Sequence, residues 1–344
     1  IIIALAGQGK TKGTAAYTTF PTTCNQSMGV VIFEKDTPRF MYWWLVSQYK
    51  NIRGMASDDG RDGLNLEMLG SIPCPILTTN EQQKIADFLD YKTQQIDQLI
   101  EKKKALIEKL NEQRIAVITQ AVTKGIDKNA KMKPSGVGWL GDVPEHWETR
   151  RLKFAVNLLN IKIEAKETSL PYMGMENIES FTSKKIYDEE NPPQSDGVGS
   201  YFKRGNVLFG KLRPYLAKAY LCQTEGFCSS ELLVLEGKTI LPEYLVNLVL
   251  SDWFIELVNS STYGAKMPRA SWDYIGNMIC PIPEKEEQKN IVSFISTKIK
   301  KIEQMKKANQ SIIERLKEYR TSLITAAVTG KIDVRDVKIG NGGH

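Results

Sequence analysis

ITQAVTKGID at residues 118–127 returns as ITAAVTGKID at 324–333, an offset of 206 residues. A phrase repeated so far apart signals a duplicated unit, and the correspondence extends well upstream of it. LNEQR at 110–114 lies over LKEYR at 316–320, EQQKIADFLD at 81–90 over EQKNIVSFIS at 287–296, and CPI at 74–76 over CPI at 280–282, all at the same offset. PRFMYWWLVSQYKN from Pro38 matches PEYLVNLVLSDWFI from Pro242, with the offset slipping to 204. The opening IIIALAGQGKTKGTAAY ends at Tyr17 where NVLFGKLRPYLAKAY ends at Tyr220. Each copy is far longer than a solenoid repeat, so each reads as a domain followed by a helix. A front section of the second copy, from about Pro134 to Arg204, has no counterpart in the first. If both copies began equal, roughly 70 residues of the first domain are expected ahead of Ile1.

Within each copy, short β-branched and aromatic runs (GVVIFEKD, GNVLFGKL, ELLVLEG) alternate with Gly, Pro and Ser, the pattern of a mixed α/β domain. One amphipathic helix is expected at about 41–51 and another at 243–259. The helical parts follow, with Asn80 and Gln83 as a capped start and Gly125 and Gly330 as stops. Their apolar residues are spaced in heptads. Ile96, Lys103, Leu110 and Val117 fall at a, Leu99, Leu106 and Gln113 at d, and Ile100 and Ile107 at e. The repeat carries this onto Ile302, Asn309, Leu316 and Leu323 at a, with Met305, Ile312 and Tyr319 at d. Lys103 and Asn309 are polar a residues at the same heptad, the kind that fixes the register of a helix pair. The fold class is therefore α+β: two mixed α/β domains separated by two long antiparallel helices forming a coiled coil. The divisions are 1–78 (first domain, front part missing), 79–125 (first helical region), 126–138 (linker), 139–284 (second domain), 285–333 (second helical region) and 334–344 (tail).

Composition narrows the chemistry. A net charge of +6 permits a polyanionic partner without requiring one. Five cysteines with no CxxC pair, and only two histidines, argue against a zinc site or a disulfide framework and for reduced thiols in the cytoplasm. No apolar run approaches the roughly 18 residues of a membrane span. ALAGQGKT at 4–11 fits a relaxed phosphate-loop pattern, but the Thr-rich KGTAAYTTFPTTC that follows offers no helix to cradle phosphate. NPPQ at 191–194 has Gln194 where an amino-methyltransferase motif needs an aromatic. His146 reads as a structural or interface residue, and Cys222 and Cys228 as packed thiols.

Basic loops remain as candidates for binding. Lys211, Arg213, Tyr215 and Lys218 cluster in the second copy, followed by Lys266 and Arg269 in GAKMPRASW. In the first copy the candidates are Lys10 and Lys12, then Arg53 and Arg61. Phosphate contacts would position each domain, and Arg or polar side chains in the major groove would read base edges. A coiled-coil scaffold joining two protein partners, without DNA reading, is the alternative.

The arrangement resembles the specificity (S) subunit of type I restriction–modification systems. GVGWLGDVPEHWETRRLK opening the second domain carries the likeness, as do CPIPEKEEQKNIVSFI and RTSLITAAVTGKID. The resemblance implies two target-recognition domains, each reading half of a split double-stranded DNA sequence. It implies that the paired helices act as a ruler and dock two methyltransferase (M) subunits, with restriction (R) subunits joining some complexes. It also implies a non-catalytic chain without cofactors of its own. S-adenosylmethionine would then belong to the M subunits, and ATP and Mg to an R subunit.

Overall fold

The computed structural model describes residues 1–7, 11–34, 37–55, 63–187, 190, 193–264 and 266–337. The chain divides into two compact units, residues 1–107 with 307–344, and residues 108–306. Among the described residues, no helix is long and apolar enough to cross a membrane.

The first unit opens with strands β1 (Ile2–Ala4), β2 (Ala15–Ala16) and β3 (Met28–Val30), an antiparallel sheet in the order β2-β1-β3. Three short helices follow, α1 (Pro38–Ser47), α2 (Tyr49–Gly54) and α3 (Leu66–Gly70), before the long α4 (Thr79–Lys124). After α4, whose last part belongs to the second unit, comes the hairpin β4 (Met132–Pro134) and β5 (Asp142–Pro144), so the stretch read as a linker carries a paired strand. Next come β6 (Glu148–Arg151), α5 (Leu152–Ala155), β7 (Val156–Leu159), β8 (Lys162–Glu164), β9 (Tyr172–Met173) and β10 (Val198–Phe202). They are followed by β11 (Val207–Gly210), β12 (Ala219–Leu221), β13 (Gly226–Cys228) and β14 (Leu232–Gly237). Helices α6 (Pro242–Val249), α7 (Asp252–Ser260) and α8 (Trp272–Ile275), strand β15 (Ile279–Ile282) and the long α9 (Lys285–Val328) complete the chain. The two main sheets run β12-β11-β14-β7 and β8-β10-β13-β9.

The duplication is visible strand by strand. Ile2 pairs with Ala16 and Val30, as Phe209 pairs with Ala219 and Leu233. The Asn65 side chain accepts from Met68 N to cap α3, and Ser271, 206 residues later, accepts from Tyr274 N to cap α8. Each expected amphipathic helix is instead two helices. In the second unit the break falls at Ser251, with the α7 amide of Asp252 donating to Thr119 Oγ1 at 2.9 Å.

Neither α4 nor α9 contains Gly or Pro, and both are rich in Lys, Glu, Gln, Leu and Ile, so propensity favours uninterrupted helices. The start of α4 is capped by Thr78 and Glu81, not Asn80 and Gln83. Glu81 Oε2 accepts from Thr78 N at 3.0 Å, and Thr78 Oγ1 accepts from Glu81 N at 3.3 Å. T-x-x-E is the stronger capping box because both side chains reach the opposite amide. Gly125 (φ +73°) and Gly330 (φ +69°) end the helices in the left-handed conformation, as expected. The helices run antiparallel within each unit. Ile85 shares a cleft with Ala327 and Asp97 pairs with Arg320 in the first, while Val117 and Gln120 share one with Phe294 and Lys298 in the second.

The seam differs from the a/d heptad. Ile96, Ile100, Leu110, Ile302, Ile313 and Leu323 are buried, whereas the d residues Leu99, Leu106, Met305, Ile312 and Tyr319 are exposed. Positions a and e therefore face inward. Each helix must also pack against its domain, which rotates the stripe away from a two-helix optimum and widens it. Of the polar a residues, Asn309 is buried and Lys103 half-buried.

One buried pair escaped the sequence reading. Gln82 and Gln288 sit in the first turns of α4 and α9, 2% and 0% exposed. Their Oε1 atoms accept from Thr37 N and Leu241 N, each at 2.7 Å, fixing the chain just before α1 and α6. Their Nε2 atoms donate to Leu77 O at 3.3 Å and Pro283 O at 2.8 Å.

Candidate nucleic-acid interface

In the second unit, two basic loops are laced together by backbone hydrogen bonds. Arg213 N donates to Pro268 O at 2.8 Å and Ala270 N to Lys211 O at 2.9 Å, with bridge pairing between Leu212 and Arg269. The structure thus brings Lys211, Arg213, Tyr215, Lys266 and Arg269 onto adjoining loops, although they span 59 residues of sequence (211 to 269). Arg213 and Ala217 hold left-handed φ values of +48° and +45° around the turn Pro214–Leu216. Non-glycine residues pay for that conformation with steric strain, which is commonly retained at functional loops. Arg213 and Tyr215 on this turn are both exposed. Lys266 is exposed as well.

The remaining candidates are tied down. Lys218 Nζ donates to Met175 O at 2.6 Å, and burial lowers its pKa, so it acts as a strut between loops. Arg269 is engaged by Glu231, with Nε 3.2 Å from both carboxylate oxygens and Nη2 3.0 Å from Oε1. That bond raises the guanidinium pKa further. The Arg269 side chain remains 40% exposed, so it can exchange Glu231 for another acceptor.

Beside these loops lies a cleft of about 420 Å³ lined by Lys162, Ser200, Lys211, Tyr263, Arg269 and Trp272. Lys162 and Tyr263 were not among the sequence candidates. Tyr263 is 72% exposed at the lip, and Lys162 Nζ donates to Ser200 Oγ at 3.2 Å. An exposed aromatic beside Gly264 (φ +91°), in STYGAK, was the available signal. A cleft with three cations and an exposed ring suits phosphate and base edges.

In the first unit, Gly13 (φ +81°), next to Lys12, faces α2 so closely that a Cβ there would come within 3.3 Å of Ile52. Arg53 is exposed and its Nη1 donates to Tyr49 Oη at 3.1 Å. Lys10 and Arg61 lie outside the described residues, as do Asn191 and Pro192 of NPPQ. No helix occurs among the described residues between β1 and Pro38, so nothing there completes a phosphate loop. His146 Nε2 meets Glu287 Oε2 at 2.8 Å, a contact between the β5–β6 turn and α9. Cys222, Cys228 and Cys280 are buried and their thiols pushed up by desolvation, Cys228 to about 12, which makes them packing groups.

The profile of the type I restriction modification DNA specificity domain matches residues 1–109 and 144–314, most of the chain. The chain belongs to this family. Among curated type I specificity subunits, it is 22% identical to the EcoDI subunit of Escherichia coli over 316 residues, covering 85% of this chain and 70% of that protein. It is 21% identical to the MjaVIII subunit of Methanocaldococcus jannaschii, covering 87% of this chain and 71% of that one. The fold is shared with a chain solved in work on complex assembly and conformational transition of the type I R-M system, at a TM-score of 0.67 and 12% identity, covering 90% of this chain and 76% of that one. The HsdS subunit from Thermoanaerobacter tengcongensis matches at a TM-score of 0.51 and 13% identity, over 86% of this chain and 70% of that one.

Proposed function

We propose that this specificity-family chain reads a bipartite double-stranded DNA target, one half-site per unit, for a type I restriction–modification complex. The observation that carries the reading is the interlaced pair of basic loops, Lys211–Lys218 and Tyr263–Ala270, opening onto a cationic cleft in a duplicated chain. Lys211, Arg213 and Lys266 serve as phosphate anchors. Arg269 leaves Glu231 for a base edge, and Tyr263 or Tyr215 packs against sugar or base. In the first unit Lys12 and Arg53 take the anchoring role. The long helices set the spacer and carry two methyltransferase subunits on their outer faces, where Leu99, Leu106, Ile312 and Tyr319 supply apolar area.

The chain itself acts by binding. The methyl donor belongs to the methyltransferase partners, and ATP with Mg to any restriction subunit that joins. The test is binding to random-sequence duplex pools at graded salt. Selection of a split sequence, with affinity falling steeply as salt rises, supports the reading. Salt-insensitive binding without selection would instead favour a scaffold between two proteins.

A further inference from the structure

The turn that carries Arg213 and Tyr215 is held from behind. Phe181 N donates to Ala217 O at 2.9 Å, against the residue that closes the turn at φ +45°. Ala217 is fully buried, so its conformation answers to what packs on it rather than to solvent. Ser183 Oγ accepts from Leu221 N at 3.2 Å just beyond. The segment that makes these contacts is left-handed at two positions of its own, Phe181 (φ +63°) and Ser183 (φ +57°). Glu179 N closes it by donating to Lys184 O at 2.8 Å.

Both long helices grip this segment within the second unit. Arg114 of α4 donates through Nη1 to Phe181 O and through Nη2 to Thr182 O at 3.3 Å. Lys184 Nζ reaches Glu303 of α9 at 3.4 Å. The two grips are unequal. The Lys184–Glu303 pair lies near the surface, where such pairs contribute little. Arg114 is 5% exposed, and desolvation lowers its pKa although Glu303 and Glu179 oppose the shift. Its Nε is buried with no hydrogen-bond partner among the described residues. A buried guanidinium with one donor orphaned is a poor way to stabilise a fold, since apolar residues of similar volume commonly do as well or better. What it does supply is a rigid fork, here set on two successive carbonyls. Phe181 thus joins α4 to the turn through its own two backbone groups, its C=O on Arg114 and its N–H on Ala217. Arg213 N carries the connection on to Pro268 O, in the second basic loop.

We propose that Arg114 is a positioning residue for the half-site of the second unit. It holds the Arg213–Ala217 turn, through Phe181, in the left-handed conformation that presents its side chains to DNA. The proposal rests on the reading of that turn as a DNA contact. It adds that the reading turn is indexed to the long helix by one buried side chain, so that a shift of α4 at Arg114 is felt at the turn.

Arg114→Met keeps the volume and removes the fork. In the full chain, amide hydrogen exchange should quicken at 181–184 and 214–217 while β11 and β14 keep their protection; a quickening throughout the unit, or none at 214–217, would overturn the proposal. Affinity for the selected duplex should fall about tenfold, the factor that separates left-handed from right-handed backbone at one non-glycine residue. Discrimination among single-base variants should relax in one half-site only, the one that Arg269→Ala also relaxes. Arg114→Lys, which offers one donor group without the fork, should recover part of the affinity. Ala217→Gly gives the decisive cycle, because glycine adopts this backbone without support. In that background Arg114→Met should cost about twofold or less, whereas equal losses in both backgrounds would sink the coupling. A relaxed half-site in Arg269→Ala with none in Arg114→Met would reject the positioning role and leave DNA reading standing. A native chain that selects no sequence would remove the reading and this proposal together.

Discussion

Replacing Gln288 by Ala removes the link between the first turn of α9 and the entrance to α6. The side chain is 0% exposed, so water cannot substitute for it where it sits. Two groups lose their partners, Leu241 N–H (2.7 Å) and Pro283 C=O (2.8 Å), while the weaker contact to Thr239 O (3.4 Å) adds little. An orphaned buried group costs about 1–3 kcal/mol. Pro283 is buried, but Leu241 is half-buried and recovers some hydration, which sets the expected loss at about 2–4 kcal/mol. Urea unfolding followed by tryptophan fluorescence and far-ultraviolet dichroism should show a lower midpoint for the transition of the second unit, at unchanged slope. Gln288→Glu sharpens the test. It keeps an acceptor for Leu241 N but sets a carboxylate against Pro283 O, so its folded-state pKa is raised. The folded state then binds the extra proton, and stability must fall as pH rises through that pKa. A loss under about 0.5 kcal/mol for Gln288→Ala, the range of ordinary surface changes, would refute the clamp.

Thiol titration of the native protein should find two fast groups, Cys24 and Cys74, with Cys222, Cys228 and Cys280 reacting only in denaturant; a third fast thiol would contradict their burial. Lys266→Ala and Arg213→Ala should each flatten the salt dependence of DNA binding by about one ion. Lys218→Ala should lower stability instead and leave that slope alone, since its ammonium is bound to Met175 O. Glu231→Gln should loosen Arg269 and tighten non-specific DNA binding severalfold, whereas unchanged binding would mean that Arg269 never meets DNA. Arg269→Ala should cost about 1–3 kcal/mol of discrimination at one base pair, measured by competition among single-base variants.

The duplication was legible because it is written in identical residues at a fixed offset. The helices were legible because 46 and 44 residues without Gly or Pro leave few alternatives. The orientation of the helices was not. Heptad spacing tells which residues share a stripe, but the domains pulling Ile100 and Ile313 inward decide where its centre falls. Basic residues in the sequence pointed to two loops of the second unit that the structure lays side by side. Their individual roles were hidden, because Lys218 is taken by a carbonyl 43 residues away and Arg269 by a carboxylate 38 residues away. Such partners depend on topology that no local pattern encodes. Lys162 and Ser200 of the cleft were missed for the same reason, as they reach it from strands of the other main sheet, β8 and β10.

The central claim is that two units of one chain read two half-sites at a distance set by the helices. Its most direct test is to assemble the chain with its methyltransferase subunits, treat DNA, and map every methylated adenine by sequencing. The account predicts one split motif with a fixed spacer. It also predicts that four residues inserted at Leu106, adding about 6 Å of helix, lengthen the spacer by about one or two base pairs of 3.4 Å each without changing either half-site. A continuous motif, or an active insertion variant that keeps the original spacer, would contradict it.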